Sequence, residues 1–301
     1  MKLHKLIRPL PALFVCLLAG LATTPRAAES VKPTARHSLW KVPGKTNAVY
    51  LFGSIHFLKK DFYPLPAPIE DAFRNSQTVV FETDLAELED LKTQFKLLQL
   101  GQFPAGETLE KNISKETYAK LQAKLKGTAG LNTMLDQFRP WMAAVTLVVF
   151  EIQKLGFDPN NGIDKYFHRQ ALKDKKQIEG LETVDFQTGL FADLSKEDQE
   201  SFLKETLDDI DGFSKTFDDI IDGWKTGDSK KVEGLMLDSM RKYPAIYKKF
   251  VTDRNERWVP KIEGLLRSGK DAFVVVGAGH LVGTNGVVEL LKKKGIPVQQ
   301  L

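Results

Sequence analysis

The fold is indicated first by the stretch Ala48-Val49-Tyr50-Leu51-Phe52-Gly53-Ser54-Ile55-His56. Its first five residues predict a continuous apolar strand, and the following glycine ends that strand in a turn that leads to a histidine. Apolar residues at helical spacing predict a short helix over residues 68–75, and a second apolar strand follows at Thr78–Phe81. A strand, a helix and a strand in this order indicate a β-α-β unit, in which the two strands are parallel.

The C-terminus returns to the same pattern. Residues 272–276 predict a buried strand, residues 277–283 form a glycine-rich turn that contains His280, and residues 285–294 predict a helix. Residues 296–298 predict a last strand, which we expect at the edge of the sheet because its central proline has no backbone N–H to donate.

The centre of the chain, from about residue 85 to about residue 267, predicts helices, since apolar residues recur there at spacings of three and four. Residues 176–178 predict one short strand inside this region. The sequence therefore predicts an α/β fold: a single mixed, largely parallel sheet built from N- and C-terminal β-α-β segments, with a large central helical insertion.

The first 28 residues predict a secretory signal peptide that is cleaved. Three basic side chains precede an apolar run over residues 10–21, and small residues follow. This run is about a dozen residues long, whereas a membrane-spanning helix needs roughly 20, so cleavage between Ala22 and Ala28 is favoured over a retained anchor. We therefore expect residues 29–301 to form one periplasmic or secreted domain without a stable membrane span.

Charge and cysteine content exclude several functions. The whole chain has 43 basic and 39 acidic residues, a formal net charge of +4. The signal segment carries four of the basic residues and no acidic one, so the remaining chain is neutral and gives no support to binding of nucleic acid or of an anionic membrane. The single cysteine, Cys16, also lies in the signal segment, so the mature protein has no thiol for catalysis or metal binding.

Three ionisable residues, His56, Glu82 and His280, directly follow predicted strands or the glycine-containing turns after them. Ligands of open α/β sheets gather beyond the carboxyl ends of the strands, so we expect the three to meet there. Two imidazoles and a carboxylate suit zinc, manganese, iron or cobalt, and without a metal the same trio can serve as general base, orienting acid and electrophile. The alternative for each histidine is a packed or surface turn residue.

Other polar residues lead to weaker interpretations. Arg254 and Asn255 lie on a predicted helix before the last buried strand, where a fixed charge can stabilise an oxyanion. Asp164 and His168, one helical turn apart, are interpreted as a capping or solvated pair rather than as two metal ligands. The glycines of residues 277–283 have dinucleotide-binding spacing, but only 18 residues follow, too few for the β-α-β unit, so no nucleotide cofactor is expected.

Six motifs, each weak alone, together resemble the TraB/PrgY/GumN family. The resemblance runs from about Leu39 to the C-terminus, and the motifs occur in the family's order. They are Gly53-Ser54-Ile55-His56, Phe81-Glu82-Thr83-Asp84, Gly162-Ile163-Asp164, Glu179-Gly180-Leu181-Glu182-Thr183 with Gln187, Arg254-Asn255 with Trp258, and Gly277-Ala278-Gly279-His280-Leu281-Val282-Gly283.

The resemblance implies a chemistry but no substrate. The family includes the Tiki metalloproteases, in which two Gly-x-x-His turns and a glutamate form a manganese- or cobalt-dependent site, and its fold is related to that of erythromycin esterases. By motif, His56, Glu82 and His280 would be the metal or catalytic trio, with Arg254 and Asn255 beside them. Other members are associated with polysaccharide production, pheromone shutdown or conjugation, and a shared motif does not fix a substrate.

The resulting hypothesis is an exported, metal-dependent hydrolase that acts on a peptide, with manganese, cobalt or zinc and no nucleotide cofactor. His56, Glu82 and His280 would hold the metal or activate water, and Arg254 would bind the substrate carboxylate or the oxyanion. The helical insertion would form the substrate walls. The rival hypothesis is a non-catalytic periplasmic protein that binds a small peptide or a saccharide in the same cleft.

Overall fold

The structure is a computed structural model of the chain, and it describes residues 36–301. The predicted signal segment lies outside the described residues. The strands are β1 (Leu39–Pro43), β2 (Ala48–Ser54), β3 (Thr78–Phe81), β4 (Gln177–Gly180), β5 (Ala272–Gly277) and β6 (Gln299–Gln300). The α-helices are α1 (Ala67–Asn75), α2 (Leu85–Glu89), α3 (Leu91–Gly101), α4 (Leu109–Asn112), α5 (Lys115–Lys124), α6 (Ala129–Leu135), α7 (Pro140–Lys154), α8 (Ile163–Lys173), α9 (Val184–Ala192), α10 (Lys196–Asp209), α11 (Phe213–Lys225), α12 (Ser229–Arg241), α13 (Pro244–Tyr247), α14 (Asp253–Arg267) and α15 (Val287–Lys293).

Within the described residues, one six-stranded sheet has the order β4-β3-β5-β2-β1-β6. β5 runs parallel to β2 on one side and to β3 on the other, and β4 is parallel to β3. β1 pairs antiparallel with both β2 and β6. The two ends of the chain thus interleave, because the C-terminal strand β5 lies between the two strands of the N-terminal β-α-β unit.

β5 lies between β3 and β2 and is buried along its whole length. All six residues of β5 are buried, as expected for a parallel strand that is covered on both faces. Phe273 of β5 and Phe52 of β2 stack with ring centroids 5.7 Å apart. Phe167 of α8 packs on both rings at 4.9 and 5.8 Å, so this helix covers one face of the sheet.

These features confirm the predicted fold class, an α/β fold with a single mixed, mostly parallel sheet and a large helical part. Three details differ from the sequence prediction. β1 was not predicted, and the last strand lies at Gln299–Gln300 rather than at residues 296–298. The short strand β4, which belongs to the helical insertion of the sequence, is part of the main sheet. β6 is nevertheless at the predicted position, on the edge of the sheet.

The chain divides into two compact units. The first is helical and comprises Asp84–Phe150 and Thr183–Ile210; in it, Trp141 stacks on Phe191 with ring centroids 5.4 Å apart. The second comprises residues 36–83, Glu151–Glu182 and Asp211–Leu301, and it contains the whole sheet. In the described part of the chain, no helix is both long and apolar enough to cross a membrane.

Candidate active site

The predicted site residues lie at the carboxyl ends of the three parallel strands β2, β3 and β5. We refer to this line of strand ends as the edge of the sheet. His56 follows β2, Glu82 follows β3, and His280 ends the short 3-10 turn Ala278–His280 that follows β5. The backbone N–H of Gly277, the last residue of β5, donates a 2.7 Å hydrogen bond to Oε1 of Glu82. The sheet order, with β5 in the middle, is therefore what makes these residues neighbours.

The two Gly-x-x-His turns touch each other. A Cβ atom placed on Gly53 would lie only 3.1 Å from the Cα and Cβ atoms of Ala278, closer than a side chain normally approaches. Trp224 holds the same turn from another side, since its indole N–H donates a 2.7 Å hydrogen bond to the carbonyl of Gly53. The glycine is thus explained by close packing of one turn against the other.

His56 forms a hydrogen-bonded pair with Asp164. Nδ1 of His56 lies 2.7 Å from Oδ2 of Asp164, and the hydroxyl of Ser54 donates to the other carboxylate oxygen at 3.0 Å. The carboxylate fixes the ring and places the Nδ1 proton between the two residues. Within residues 36–301, Nε2 of His56 has no hydrogen-bond partner, and 24% of the side chain is exposed. Nε2 is therefore available to a ligand.

Gly162 and Ile163 place Asp164 beside His56. A Cβ atom on Gly162 would lie 2.1 Å from the carbonyl oxygen of His56, so only glycine allows the two backbones to approach this closely. The next residue, Ile163, donates its backbone N–H to the carbonyl of Ile55 at 3.0 Å. The Gly162-Ile163-Asp164 motif therefore docks the start of α8 on the His56 turn.

Arg254, on α14, is the centre of a buried ionic cluster. Its guanidinium is bound by Glu82 through Nη2 at 2.6 Å and by Glu182 through Nε at 3.0 Å and Nη2 at 2.9 Å. Nη1 faces Nε2 of His280 at 3.0 Å and the carbonyl of Phe250 at 3.4 Å. The side chain is only 2% exposed, and all five N–H groups of a guanidinium are matched by these acceptors.

His280 is held by a chain of amide contacts. Asn255 donates its amide nitrogen to the carbonyl of Asn285 at 2.7 Å, which turns its amide oxygen toward Nδ1 of His280, also at 2.7 Å. Nδ1 must then carry the proton, because an amide oxygen only accepts. The lone pair of Nε2 consequently faces Arg254. Trp258 packs against the imidazole with ring centroids 4.5 Å apart.

The charges at this edge shift the pKa values of three groups. Burial disfavours the imidazolium of His56, but the charge and hydrogen bond of Asp164 outweigh it and raise the pKa to about 9. Burial also disfavours the carboxylate of Glu82, but Arg254 outweighs it and lowers the pKa to about 2. Burial and the Arg254 charge together lower the pKa of His280 to about 3, so this imidazole is neutral.

The predicted trio of His56, Glu82 and His280 lies at one edge, but its donor atoms are not arranged as a metal-ligand set. Both ring nitrogens of His280 and both carboxylate oxygens of Glu82 are in hydrogen bonds. Among residues 36–301, no group of three or more His, Cys, Asp or Glu side chains has the arrangement that would hold a metal ion. As these side chains stand, the trio does not fit a metal, and its catalytic role stays a prediction.

The structure corrects the interpretation of Asp164 and adds Glu182 to the site. Asp164 was interpreted as part of a capping or solvated pair with His168, yet it is 8% exposed and bound to His56. Its position on the apolar face of α8, between Ile163 and Phe167, was the signal for burial. Glu182 lies two residues after the end of β4, and its backbone N–H donates a 2.8 Å hydrogen bond to the carbonyl of Glu82, which directly follows β3.

Arg254 and Asn255 lie where the sequence placed them, next to the trio, but their contacts differ from those expected. Arg254 was expected to bind a substrate carboxylate or an oxyanion, and its N–H groups are instead directed at protein acceptors. Asn255 is fully buried and contacts His280 and Asn285. Both residues therefore position other side chains in this arrangement.

Comparison with known proteins gives a family match over nearly the whole described chain. The family model of the TraB/PrgY/gumN family matches residues 38–300. The YbaP protein of Escherichia coli (strain K12) is 25% identical over 252 residues, which cover 83% of this chain and 90% of YbaP. No solved structure matches.

Similarity also extends to animal proteins. The metalloprotease TIKI homolog of Nematostella vectensis is 26% identical over 320 residues, covering 87% of this chain and 66% of that protein. Metalloprotease TIKI1 of Homo sapiens is 23% identical over 309 residues, covering 83% of this chain and 59% of that protein. This chain thus matches only part of the length of the TIKI proteins.

Proposed function

The chain belongs to the TraB/PrgY/gumN family, and on that basis we propose that it is a hydrolase of peptide substrates in which His56 transfers the proton. The observation that carries this proposal is the His56–Asp164 pair, with Nδ1 fixed by a carboxylate and Nε2 open to a ligand. Relatives named metalloproteases support the reaction class and the peptide substrate.

In the proposed reaction, Nε2 of His56 takes a proton from a water molecule whose oxygen attacks the carbonyl carbon of the peptide bond. The imidazolium that forms is stabilised by Asp164, and it returns the proton to the leaving nitrogen as the C–N bond breaks. Arg254 acts without touching the substrate, because its guanidinium holds Glu82 and Glu182 and thereby keeps the ends of β3 and β4 in place.

The test is hydrolysis of a library of quenched fluorescent peptides at about pH 9, where His56 loses its proton. We expect His56→Gln to reduce kcat/KM by about 10²- to 10⁴-fold, the usual contribution of a general base. His37→Gln is the matched control, because His37 makes only backbone hydrogen bonds in the described structure and should retain full activity. A His56→Gln variant as active as the wild type would refute the proposal.

A non-catalytic binding protein for a peptide or saccharide is the rival in this experiment. It predicts saturable binding of library members to the wild type without any cleavage, at every pH and with every metal tested. Titration of the same peptides by fluorescence anisotropy separates the two, since binding without turnover would sink the hydrolase and leave the rival standing.

A metal-dependent version of the hydrolase, using manganese, cobalt or zinc, is the second candidate. The names of the TIKI relatives favour it, whereas the hydrogen bonds of His280 and Glu82 count against it. Activity assays on protein treated with EDTA, and then with each metal added back, distinguish the two versions. We expect EDTA to leave the activity unchanged if the His56–Asp164 pair alone activates water.

We also propose that the protein is exported and that its working form begins between Ala22 and Ala28. The support is the basic and apolar pattern of the first residues. The measurement is the intact mass of the protein from the periplasmic or culture fraction of a bacterial host. A mass that corresponds to the whole 301-residue chain would contradict cleavage.

A further inference from the structure

Arg254 occupies a position that has the chemistry of a cation site. Two carboxylates, Glu82 and Glu182, and the imidazole of His280 converge on its guanidinium at 2.6, 2.9 and 3.0 Å. Carboxylate oxygens and a neutral imidazole nitrogen are also the donors that bind zinc, manganese or cobalt. These donor types therefore suit a divalent metal as well as a guanidinium, and in this structure the guanidinium of Arg254 lies among them.

Asn255 and Asn285 orient the imidazole of His280 toward Arg254. Asn285 fixes the amide of Asn255, and Asn255 in turn accepts the Nδ1 proton of His280. The lone pair of Nε2, the atom that a metal would need, is therefore directed at Nη1 of Arg254. In metal sites a second group holds the ligand histidine in the same way, by accepting the proton of the other ring nitrogen.

We propose that Arg254 is the built-in cation of this site and that it excludes a divalent metal from Glu82, Glu182 and His280. A metal ion bound to these donors would have to displace the guanidinium of Arg254. Because this side chain is only 2% exposed, its five N–H groups would then be buried without their acceptors. Two cations could not share the cluster, because their repulsion is strong at such short separations.

The inference does not depend on the hydrolase proposal, because it is tested by metal stoichiometry and thermal stability rather than by activity. The variant Arg254→Ala removes the guanidinium and leaves the three donors with space between them. We expect this variant, after incubation with zinc, manganese or cobalt and dialysis, to retain about one equivalent of metal. At saturating metal its melting temperature should rise by about 5 °C or more.

Two controls make the result specific. Arg254→Lys keeps a positive charge at the same place and should gain no metal. The double variant Arg254→Ala/Glu182→Gln lacks one of the donors and should lose most of the metal that Arg254→Ala gains. If Arg254→Ala is unfolded without metal, refolding it with and without zinc, followed by circular dichroism, gives the same information, because metal should then restore the fold.

A further measurement compares the wild-type protein with His280→Gln, and it does not require a stable variant of Arg254. We expect no stoichiometric metal that depends on His280 in the wild type after the same treatment. The proposal is overturned if the wild type holds about one equivalent of metal that is lost in His280→Gln. It is also overturned if folded Arg254→Ala retains no metal, since the three donors would then not form a cation site.

Discussion

The two charged centres at the edge of the sheet, His56 with Asp164 and Arg254 with two glutamates, differ in how much of their hydrogen-bonding capacity is already used. His56 is partly exposed and uses one ring nitrogen, whereas Arg254 is buried and all its N–H groups have acceptors. A group that reacts with a substrate needs an open atom, and a group that supports the fold does not. The difference separates the candidate catalytic residue from its positioning residues.

The largest effect that this difference predicts is on stability. Arg254→Ala leaves the carboxylates of Glu82 and Glu182 buried without their cation, so we expect it to lower the free energy of unfolding by about 3–5 kcal/mol. His56→Gln should lower it by only about 1–2 kcal/mol, because His56 is partly exposed. Urea unfolding of both variants measures the difference, and equal losses would break the distinction between the two centres.

A second prediction concerns the pH dependence of hydrolysis. The pKa of His56 is raised to about 9, so a general base at this position is active only as the pH rises toward that value. In Asp164→Asn the carboxylate that raises the pKa is absent, so we expect the rising limb of kcat/KM to move to lower pH by at least about one unit.

The control for this shift is His37→Gln, in which the rising limb of kcat/KM against pH should stay where it is in the wild type. A merely structural role of Asp164 would lower the rate at every pH without moving the limb. A rate that falls instead of rising between about pH 7 and pH 9 would mean that His56 acts as an acid rather than as a base.

A third prediction uses the low pKa of His280, about 3 in the folded protein against 6.5 in a free histidine. The unfolded chain binds a proton there as the pH falls below 6.5 while the folded protein does not, so stability falls in this direction. We expect a loss of up to about 1.4 kcal/mol per pH unit between about pH 6 and pH 5.

In His280→Gln the decrease of the free energy of unfolding between about pH 6 and pH 5 should disappear. The pKa of Glu82 is lowered from 4.5 to about 2, so Glu82 contributes a loss of the same sign mainly below pH 4.5 and leaves the window above about pH 5 to His280. Unfolding midpoints at several pH values in that window provide the measurement, and an unchanged slope in the variant would refute the assignment.

The smallest effect is expected at an exposed ion pair in the other unit. Lys96 and Asp185 are in contact at 2.6 Å, but their side chains are 56% and 69% exposed. Lys96→Ala should change the free energy of unfolding by less than about 1 kcal/mol, because water and salt screen such pairs. A loss as large as that of Arg254→Ala would show that burial does not decide the value of ion pairs in this protein.

Local patterns in the sequence were sufficient to predict β2, β3 and β5 and the candidate residues that follow them. β2, β3 and β5 are apolar runs with turn residues directly after them, so the placement of His56, Glu82 and His280 beyond strand ends follows from the order of residues alone. β1 and the exact position of β6 were missed. β1 mixes polar and apolar residues and pairs with β2, whereas β6 consists of two glutamines that pair with β1.

The partners of the candidate residues could not be predicted in the same way. Asp164 meets His56 across 108 positions of the chain, and Arg254 meets Glu82 across 172. No local pattern encodes contacts of such separation, because they arise only when α8 and α14 pack against the sheet. Asp164 therefore looked like a surface residue, and Arg254 looked like a residue with donors available to a substrate.

The sequence by itself determined the apolar strands, the glycines at their ends and the identity of the ionisable residues that follow. The tertiary structure alone decided that β5 lies between β2 and β3, and so which of these residues touch. It also decided that both ring nitrogens of His280 are in hydrogen bonds, with Asn255 and Arg254. Among the described residues, Nε2 of His56 has no hydrogen-bond partner. The physical reason is that residue type fixes what bonds a side chain can make, whereas packing fixes which of them are already made.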